Sequence, residues 1–312
     1  MFAFFILLSF GSTIFRIYFY DLSDIFIVLA YLFRFINYVM FGFLIYNAIK
    51  SKILPSLDIH KILKNNFYLL ITLNIVQYLF FRDISSLAVF GFDPHQTRLT
   101  GTFLDPNFMG IFLVLYFIYS EIVKNSKFIS ISSFVMILLT ESRSAILTLG
   151  IVLVLLVFKN IKYSFYFLII MGFTFFTPFF ARVELSKASN DSSNLRIESW
   201  KNGINLWQFS PEFGVGFNNY KNMSKYFNLL SPEQFSSNSA NSSDSSLISV
   251  LAMTGILGLV AFCLFLLSFL SSKSFYFLVA IFIDSLFINS LFFPAVCVYL
   301  FLWLNITRLQ KV

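Results

Sequence analysis

Ten long apolar segments, parted by short polar connections, make up most of the chain; they lie near residues 2–20, 24–48, 66–82, 107–122, 128–140, 143–158, 163–181, 245–270, 274–290 and 292–307. Apolar runs of about 17–25 residues can cross a hydrocarbon core as helices. A helix is also the only open segment that satisfies its own backbone there. The pattern predicts an all-α fold, a polytopic transmembrane helix bundle of roughly ten spans. One polar stretch of 63 residues, Arg182–Asp244, interrupts it and reads as a large loop within a single integral membrane domain covering residues 1–312.

Composition agrees with that pattern. The chain is 58% hydrophobic and 12% charged, with a mean hydropathy of +0.81. A soluble domain carries about 25% charged residues, so lipid has to be the solvent for most of this surface. The first segment has no basic leading region, and its one charge, Arg16, stands at its far end; a cleaved signal is not expected. Cys263 and Cys297 lie inside apolar spans and read as small core residues. His60 and His95 stand apart in the sequence, so no metal site is expected.

Charge then orients the spans. Lys50, Lys52, Lys61, Lys64, Lys124, Lys127, Lys159, Lys162, Lys273, Arg308 and Lys311, eleven basic residues, fall on one set of connections. The opposite short connections hold Arg82, Arg98 and Arg143 beside Asp21, Asp24, Asp83, Asp93, Asp105 and Glu141. By the positive-inside rule the lysine face is cytoplasmic. Both termini are then cytoplasmic and the 182–244 loop is external. The net charge of +7 follows largely from this topology, and no nucleic-acid partner is implied.

Within the long loop, Asn194 reads as the cap of a helix whose Ile197, Trp200, Ile204 and Trp207 recur at helical spacing. Such a helix suits the membrane interface. Pro211 and Gly214-Val215-Gly216 are expected to end it. The Ser- and Asn-rich stretch 235–246 reads as a mobile loop or a surface for oligosaccharide, and Phe90–Phe92 as a dip into the interface.

Arginines on the outer face are what charge bias cannot explain. Arg98 precedes Asp105, a plausible helix cap, and Pro106, which suits a first helical position. A capped helix with an interfacial arginine is one reading; an anion site built from an arginine fork and a helix N-terminus is the other. Glu141-Ser142-Arg143-Ser144 breaks two short spans, and Arg143 there needs a partner, either Glu141 or a bound phosphate. Arg196 heads the loop helix, and Asp244 stands where the loop re-enters the membrane. Gly255 and Gly258 read as close helix packing. Arg34 and Asp284 lie inside spans and are expected to pair. There is no Asp-x-Asp pair, P-loop, His-Glu-x-x-His or Gly-x-Ser-x-Gly motif.

Four stretches appear in order: Arg-Leu-Thr-Gly-Thr-Phe-Leu-Asp-Pro-Asn-Phe-Met-Gly (98–110), Leu-Leu-Thr-Glu-Ser-Arg-Ser-Ala (138–145), Pro-Glu-Phe-Gly-Val-Gly-Phe-Asn-Asn-Tyr (211–220), and Asp-Ser-Ser-Leu-Ile followed by Thr-Gly-Ile-Leu-Gly-Leu (244–259). Over about residues 95–260 this succession resembles the O-antigen polymerase and ligase superfamily, the Wzy/WaaL type. The resemblance implies a membrane glycosyltransferase of the bacterial plasma (inner) membrane. It implies substrate binding by Arg98, Arg143 and Arg196 through the diphosphate of an undecaprenyl-linked oligosaccharide. Ligases of the family show a His-Asn pair where Asn241-Ser-Ser-Asp244-Ser stands here, which favours a polymerase over a lipid A-core ligase.

The expected reaction is polymerisation of oligosaccharide repeat units on undecaprenyl diphosphate at the outer face, for O-antigen, capsule or another exopolysaccharide. Arginines stay charged and grip two oxygens at once, so they are expected to stand in for a divalent metal at the leaving group, with no cofactor. Asp244 or Glu141 is the candidate catalytic base for the acceptor hydroxyl. The expected partners are the lipid-linked donor and acceptor, the lipid bilayer, a chain-length regulator and a flippase. A ligase, or a lipid-linked oligosaccharide flippase, is the alternative function.

Overall fold

Each of the ten apolar segments falls on a helix in the computed structural model, which describes residues 1–20, 25–53, 58–90, 93–124, 126–176, 187–229 and 238–309. They are α1 (Phe2–Tyr20), α2 (Ile25–Lys50), α3 (Ile59–Phe80), α4 (Pro106–Ile118), α5 (Lys127–Thr140), α6 (Arg143–Val157), α7 (Tyr163–Phe176), α10 (Ser246–Leu267), α11 (Ser274–Ser285) and α12 (Pro294–Leu309). Two further helices, α8 (Lys187–Gln208) and α9 (Tyr220–Tyr226), belong to the long polar stretch. The fold is all-helical, and among the described residues the only β pairing is the isolated Asp83–Gln96 bridge.

Phe26–Lys50, Pro106–Lys124 and Ser246–Leu267 are long and apolar enough to cross a membrane. Several other apolar helices, such as Lys127–Thr140 and Arg143–Val157, are shorter, at 10–17 residues. At about 1.5 Å per residue they run well under the roughly 30 Å of a hydrocarbon core. Polar caps cut them short: α6 begins at Ser142, whose side chain accepts from Ala145 N, and α5 ends at Glu141 in the left-handed region (φ 48°).

The chain divides into two compact units. One comprises Met1–Phe41, Asn190–Leu270 and Ser285–Val298. Its centre is an aromatic seam of α1, α2 and α10: Phe5 meets Phe262 with ring centroids 5.1 Å apart, and Phe35 meets Phe292 at 5.4 Å. Arg34 is exposed on α2, its guanidinium 4.2 Å from the Tyr31 ring, a cation–π contact. Asp284, expected to be its partner, is buried and falls in the other unit.

The main feature of this first unit is a break in α10. Gly255 adopts φ 66° and ψ −172° in mid-helix, a region open essentially to glycine alone. The turn after α8 fills the break. Ile256 N donates to Pro211 O at 2.9 Å and Leu257 N to Glu212 O at 3.3 Å; in return Val215 N donates to Ala252 O and Gly216 N to Met253 O, both at 2.9 Å. Four backbone groups that a broken helix would leave bare in apolar surroundings are thus satisfied, as non-helical backbone at such depth requires. Pro211–Gly216 follows the end of α8 at Gln208, as expected, and it also builds an interlock with Gly255, which breaks its helix where packing was expected. Gly214 is needed because a Cβ there would lie 2.4 Å from the backbone of Met253 and Thr254.

The second unit comprises Gly42–Ser189, Ser271–Asp284 and Tyr299–Val312. Its core helix is α4, buried continuously from Met109 to Tyr119. Gly110 lets α6 approach, since a Cβ there would lie 2.6 Å from that of Ala145. At the far end α4 widens into a π-helical turn, Tyr119–Lys124. There Glu121 accepts from Lys162 Nζ at 3.1 Å and Tyr163 Oη at 2.9 Å, and from the Ser130 hydroxyl. His60, next to this end, shares a 2.7 Å hydrogen bond with Tyr119 Oη.

Candidate functional site

In the second unit the two stretches 98–110 and 138–145 are stitched together. Leu99 N donates to Leu139 O at 2.9 Å. Arg98 Nε donates to Thr140 O at 2.8 Å and its Nη2 to Glu141 O at 3.2 Å. These are the last carbonyls of α5, which a helix leaves unpaired and where a cation is favoured. Arg98 is therefore first a clasp on a helix C-terminus, the plainer of its two sequence readings. On the other side Gln77 Oε1 of α3 accepts from Thr100 N at 3.1 Å and Gly101 N at 3.0 Å. The loop is held between α3 and α5.

Asp105 caps α4 as the sequence suggested, its Oδ1 accepting from Asn107 N at 2.6 Å and Phe108 N at 3.3 Å, with Pro106 at the first helical position. Ser142 caps α6 and donates through Oγ to Asn107 Oδ1 at 3.0 Å. The N-termini of α4 and α6 thus meet at one end of the unit, next to the C-terminus of α5.

Arg143 is the first residue of α6 and is exposed. A cation is disfavoured at a helix N-terminus by some 0.3–1 kcal/mol, so helix stability does not account for it. Backbone N–H groups and the macrodipole at such an end do suit an anion. Arg143 brings a second, side-chain attraction for that anion to the same place. Glu141, half-buried, holds a left-handed conformation between the two helices. Such strain in a residue other than glycine often marks a working site. Behind the loop lies a cavity of about 370 Å³, lined largely by apolar side chains such as Leu73, Val76, Phe81, Ile84, Leu87 and Leu104.

His95 stands apart from the other histidine in the sequence, and the loop brings Asp93, His95 and Asp105 within 4.8 Å of one another by their ligand-type atoms.

In the first unit, α8 begins at Lys187, so Asn194 lies inside the helix and is not its cap, and Arg196 stands in its body. On its surface Ile197 and Ile204 are exposed, while Gly203 and Leu206 are buried. A Cβ at Gly203 would lie 2.4 Å from Ile248 Cγ2, which is why α8 can rest on the start of α10. Trp207 Nε1 donates to Pro211 O at 2.9 Å, tying the helix to the interlock. The expectations for residues 235–237 and for Gly91–Phe92 lie outside the described residues.

Asp244 joins that arrangement through its backbone, its N–H donating to Ser199 Oγ at 2.9 Å. Ser243 Oγ and Tyr220 Oη both donate to Ser199 O at 3.4 Å. Burial, with a contribution from the Asp244 charge, raises the Tyr220 phenol above its ordinary pKa. Asp244 does not cap α10. Ser245 does, accepting from Ile248 N at 3.3 Å while its Oγ donates to Ser285 O at 2.8 Å. Ser245→Ala is therefore expected to destabilise the protein by about 1 kcal/mol, while Asp244→Asn leaves its melting temperature unchanged; thermal unfolding in detergent checks both.

The serines at 242, 245 and 246 are functional in a sense the sequence concealed. Asn289 Nδ2 donates to Ser242 Oγ at 2.7 Å, and Ser246 Oγ to Ile288 O at 3.0 Å. Serine richness signalled mobility, whereas these hydroxyls fasten the start of α10 to the segment after α11.

Arg98, Glu141 and Arg143 are thus brought together in one unit, and Arg196 and Asp244 lie in the other. Residues 128–263 match the family model Wzy_C, described as O-antigen ligase, which is consistent with the Wzy/WaaL superfamily. The matched region contains Glu141, Arg143, Arg196 and Asp244, and Arg98 precedes it. No curated protein matches the chain.

Proposed function

Because the match at residues 128–263 puts this chain with membrane enzymes of the O-antigen ligase and polymerase type, which act on lipid-linked sugars, we propose that it polymerises oligosaccharide repeat units carried on undecaprenyl diphosphate at the outer face of the bacterial plasma membrane. The observation that carries this reading is Arg143, an exposed guanidinium at the head of α6, where the helix end itself favours an anion. The donor diphosphate sits against it. Arg98 holds the neighbouring end of α5 in place. The cavity behind the Arg98 loop, of about 370 Å³ and mostly apolar, suits the first isoprene units of the carrier.

In the reaction an acceptor-sugar hydroxyl on a new lipid-linked unit attacks the anomeric carbon of the growing chain. The bond to the diphosphate breaks, and undecaprenyl diphosphate departs with its charge held by the arginines. Glu141, in the same unit as Arg143, is a candidate base for the acceptor proton, and Asp244 is the other candidate. Arginine needs no divalent cation at the leaving group. A chain-length regulator and a flippase are the expected partners.

Reaction of the purified protein with a synthetic undecaprenyl-diphosphate repeat unit tests this reading, and a ladder of products spaced by one repeat is the expected result. Transfer only to an added lipid A-core acceptor would instead establish a ligase. Surface glycan after gene loss separates a flippase: single repeat units remain without a polymerase, and none without a flippase.

Topology provides a further test. Reporters fused after Lys64, Lys127, Lys162 and Lys273 are expected to report cytoplasm, and fusions between 190 and 229 the outside. A cytoplasmic signal from position 220 would overturn the orientation and the diphosphate role with it.

A further inference from the structure

The loop that carries Arg98 also holds a side-chain cluster for which the proposed transfer has no use. Asp93, His95 and Asp105 each offer one ligand-type atom, and these lie within 4.8 Å of one another. They come from two places in the chain, the middle of the loop and the cap of α4. Backbone pairing fixes the loop part: Ile84 N donates to His95 O at 3.1 Å and Thr97 N to Arg82 O at 3.0 Å, around the Asp83–Gln96 bridge.

Two of the three groups have unmet demands. His95 Nε2 is sealed from solvent and has no hydrogen-bond partner among the described residues. A buried polar atom left so costs about 1–3 kcal/mol. Asp105 takes both capping N–H groups on Oδ1, so its Oδ2 stays available.

One imidazole nitrogen and two carboxylate oxygens form a donor set for a divalent transition metal, and a neutral histidine with two anions matches Zn²⁺ in charge and ligand type. A tetrahedral set with bonds of about 2.0–2.1 Å needs ligand atoms about 3.3 Å apart.

We propose that Asp93, His95 and Asp105 form a Zn²⁺-class cation site that ties the middle of the 82–105 loop to the N-terminus of α4, with water completing the coordination. The cation neutralises two carboxylates beside a helix end and fixes the loop from which Arg98 reaches α5. It takes no part in bond making or breaking, so this proposal and the polymerase reading fail independently.

The test uses full-length protein purified in detergent with a tag free of histidine, stripped with chelator, and titrated with Zn²⁺. Metal content and calorimetry are expected to show one ion per chain. His95→Gln and Asp105→Asn should each weaken binding by at least about tenfold, and His60→Gln should leave it unchanged. Asparagine still caps a helix, so Asp105→Asn removes the charge and keeps α4. Should His95→Gln fail to fold, Asp93→Asn at an exposed position decides. Co²⁺ bound in place of Zn²⁺ should show no thiolate charge-transfer absorption, which excludes Cys263 and Cys297. Zn²⁺ uptake equal in wild type and all three ligand variants, or none in the wild type, overturns the proposal.

Discussion

Gly255→Ala is expected to leave almost no folded protein. The residue sits at φ 66° and ψ −172°, where any side chain costs about 1–3 kcal/mol in backbone strain. An added Cβ would also lie 2.1 Å from Glu212 O and 2.5 Å from Phe213 N. Both neighbours are backbone and cannot rotate away, so the turn must leave the break. Four hydrogen bonds to Pro211, Glu212, Val215 and Gly216 go with it, each leaving buried groups unpaired at about 1–3 kcal/mol. These losses together match or exceed the whole stability of an ordinary domain, about 5–15 kcal/mol. Gly214→Ala should act in the same way from the other side of the interlock. Gly150→Ala and Gly172→Ala are the controls, because nothing lies within 4 Å of a Cβ at either. Size-exclusion profiles of detergent-solubilised protein after a heating series provide the readout. A Gly255→Ala protein that survives heating as well as the Gly150→Ala control would show that α10 is not broken and interlocked in this way.

The second large effect concerns the arginines, and the structure predicts that they differ. Arg143→Lys keeps a charge at an exposed helix start but loses the planar fork. It should lower polymerisation at least tenfold, with Arg143→Ala lowering it by about 10²-fold, the size typical for one donor to a developing charge. Neither should move the melting temperature by more than a degree or two. Arg98→Lys should instead lower stability and activity together, because one amine cannot serve both Thr140 O and Glu141 O as the guanidinium does. Chain-length ladders at equal protein level, set beside thermal unfolding, separate the two residues. Wild-type chain length from Arg143→Lys would remove the diphosphate from this site. Unchanged stability in Arg98→Lys would show that the clasp contributes nothing.

Local signals in the sequence were enough for much of this. Helices follow apolar runs because a backbone in apolar surroundings has to satisfy itself, so all ten segments could be placed to within a few residues at most ends. The α4 cap was legible for a similar reason: Asp105-Pro106 carries its meaning within a single turn. Residue type also marked Arg98 and Arg143 as charges to be explained. What the sequence could not decide was every relation between distant stretches. Gly255 looks the same whether it packs a helix or breaks one. Only the turn at 211–216, some 40 residues earlier, turns the break from a defect into a paired structure. Asn194 has the chemistry of a cap, but a helix starts where its first unpaired N–H groups can be satisfied, and α8 already runs from Lys187. Ser245 and Asp244 are equally good caps by composition; the path of the chain past Ser199 and Ser285 assigned the role to the serine. His95 and Asp105 are ten residues apart in sequence, and it is the Asp83–Gln96 pairing, a tertiary event, that folds the loop back and makes them neighbours. Sequence by itself determined which segments are helical and which charges need explaining, because those depend on each residue and its near neighbours. Tertiary structure alone decided which charged side chains clasp a distant helix end and which ones lie close together, because those depend on contacts that no local pattern encodes.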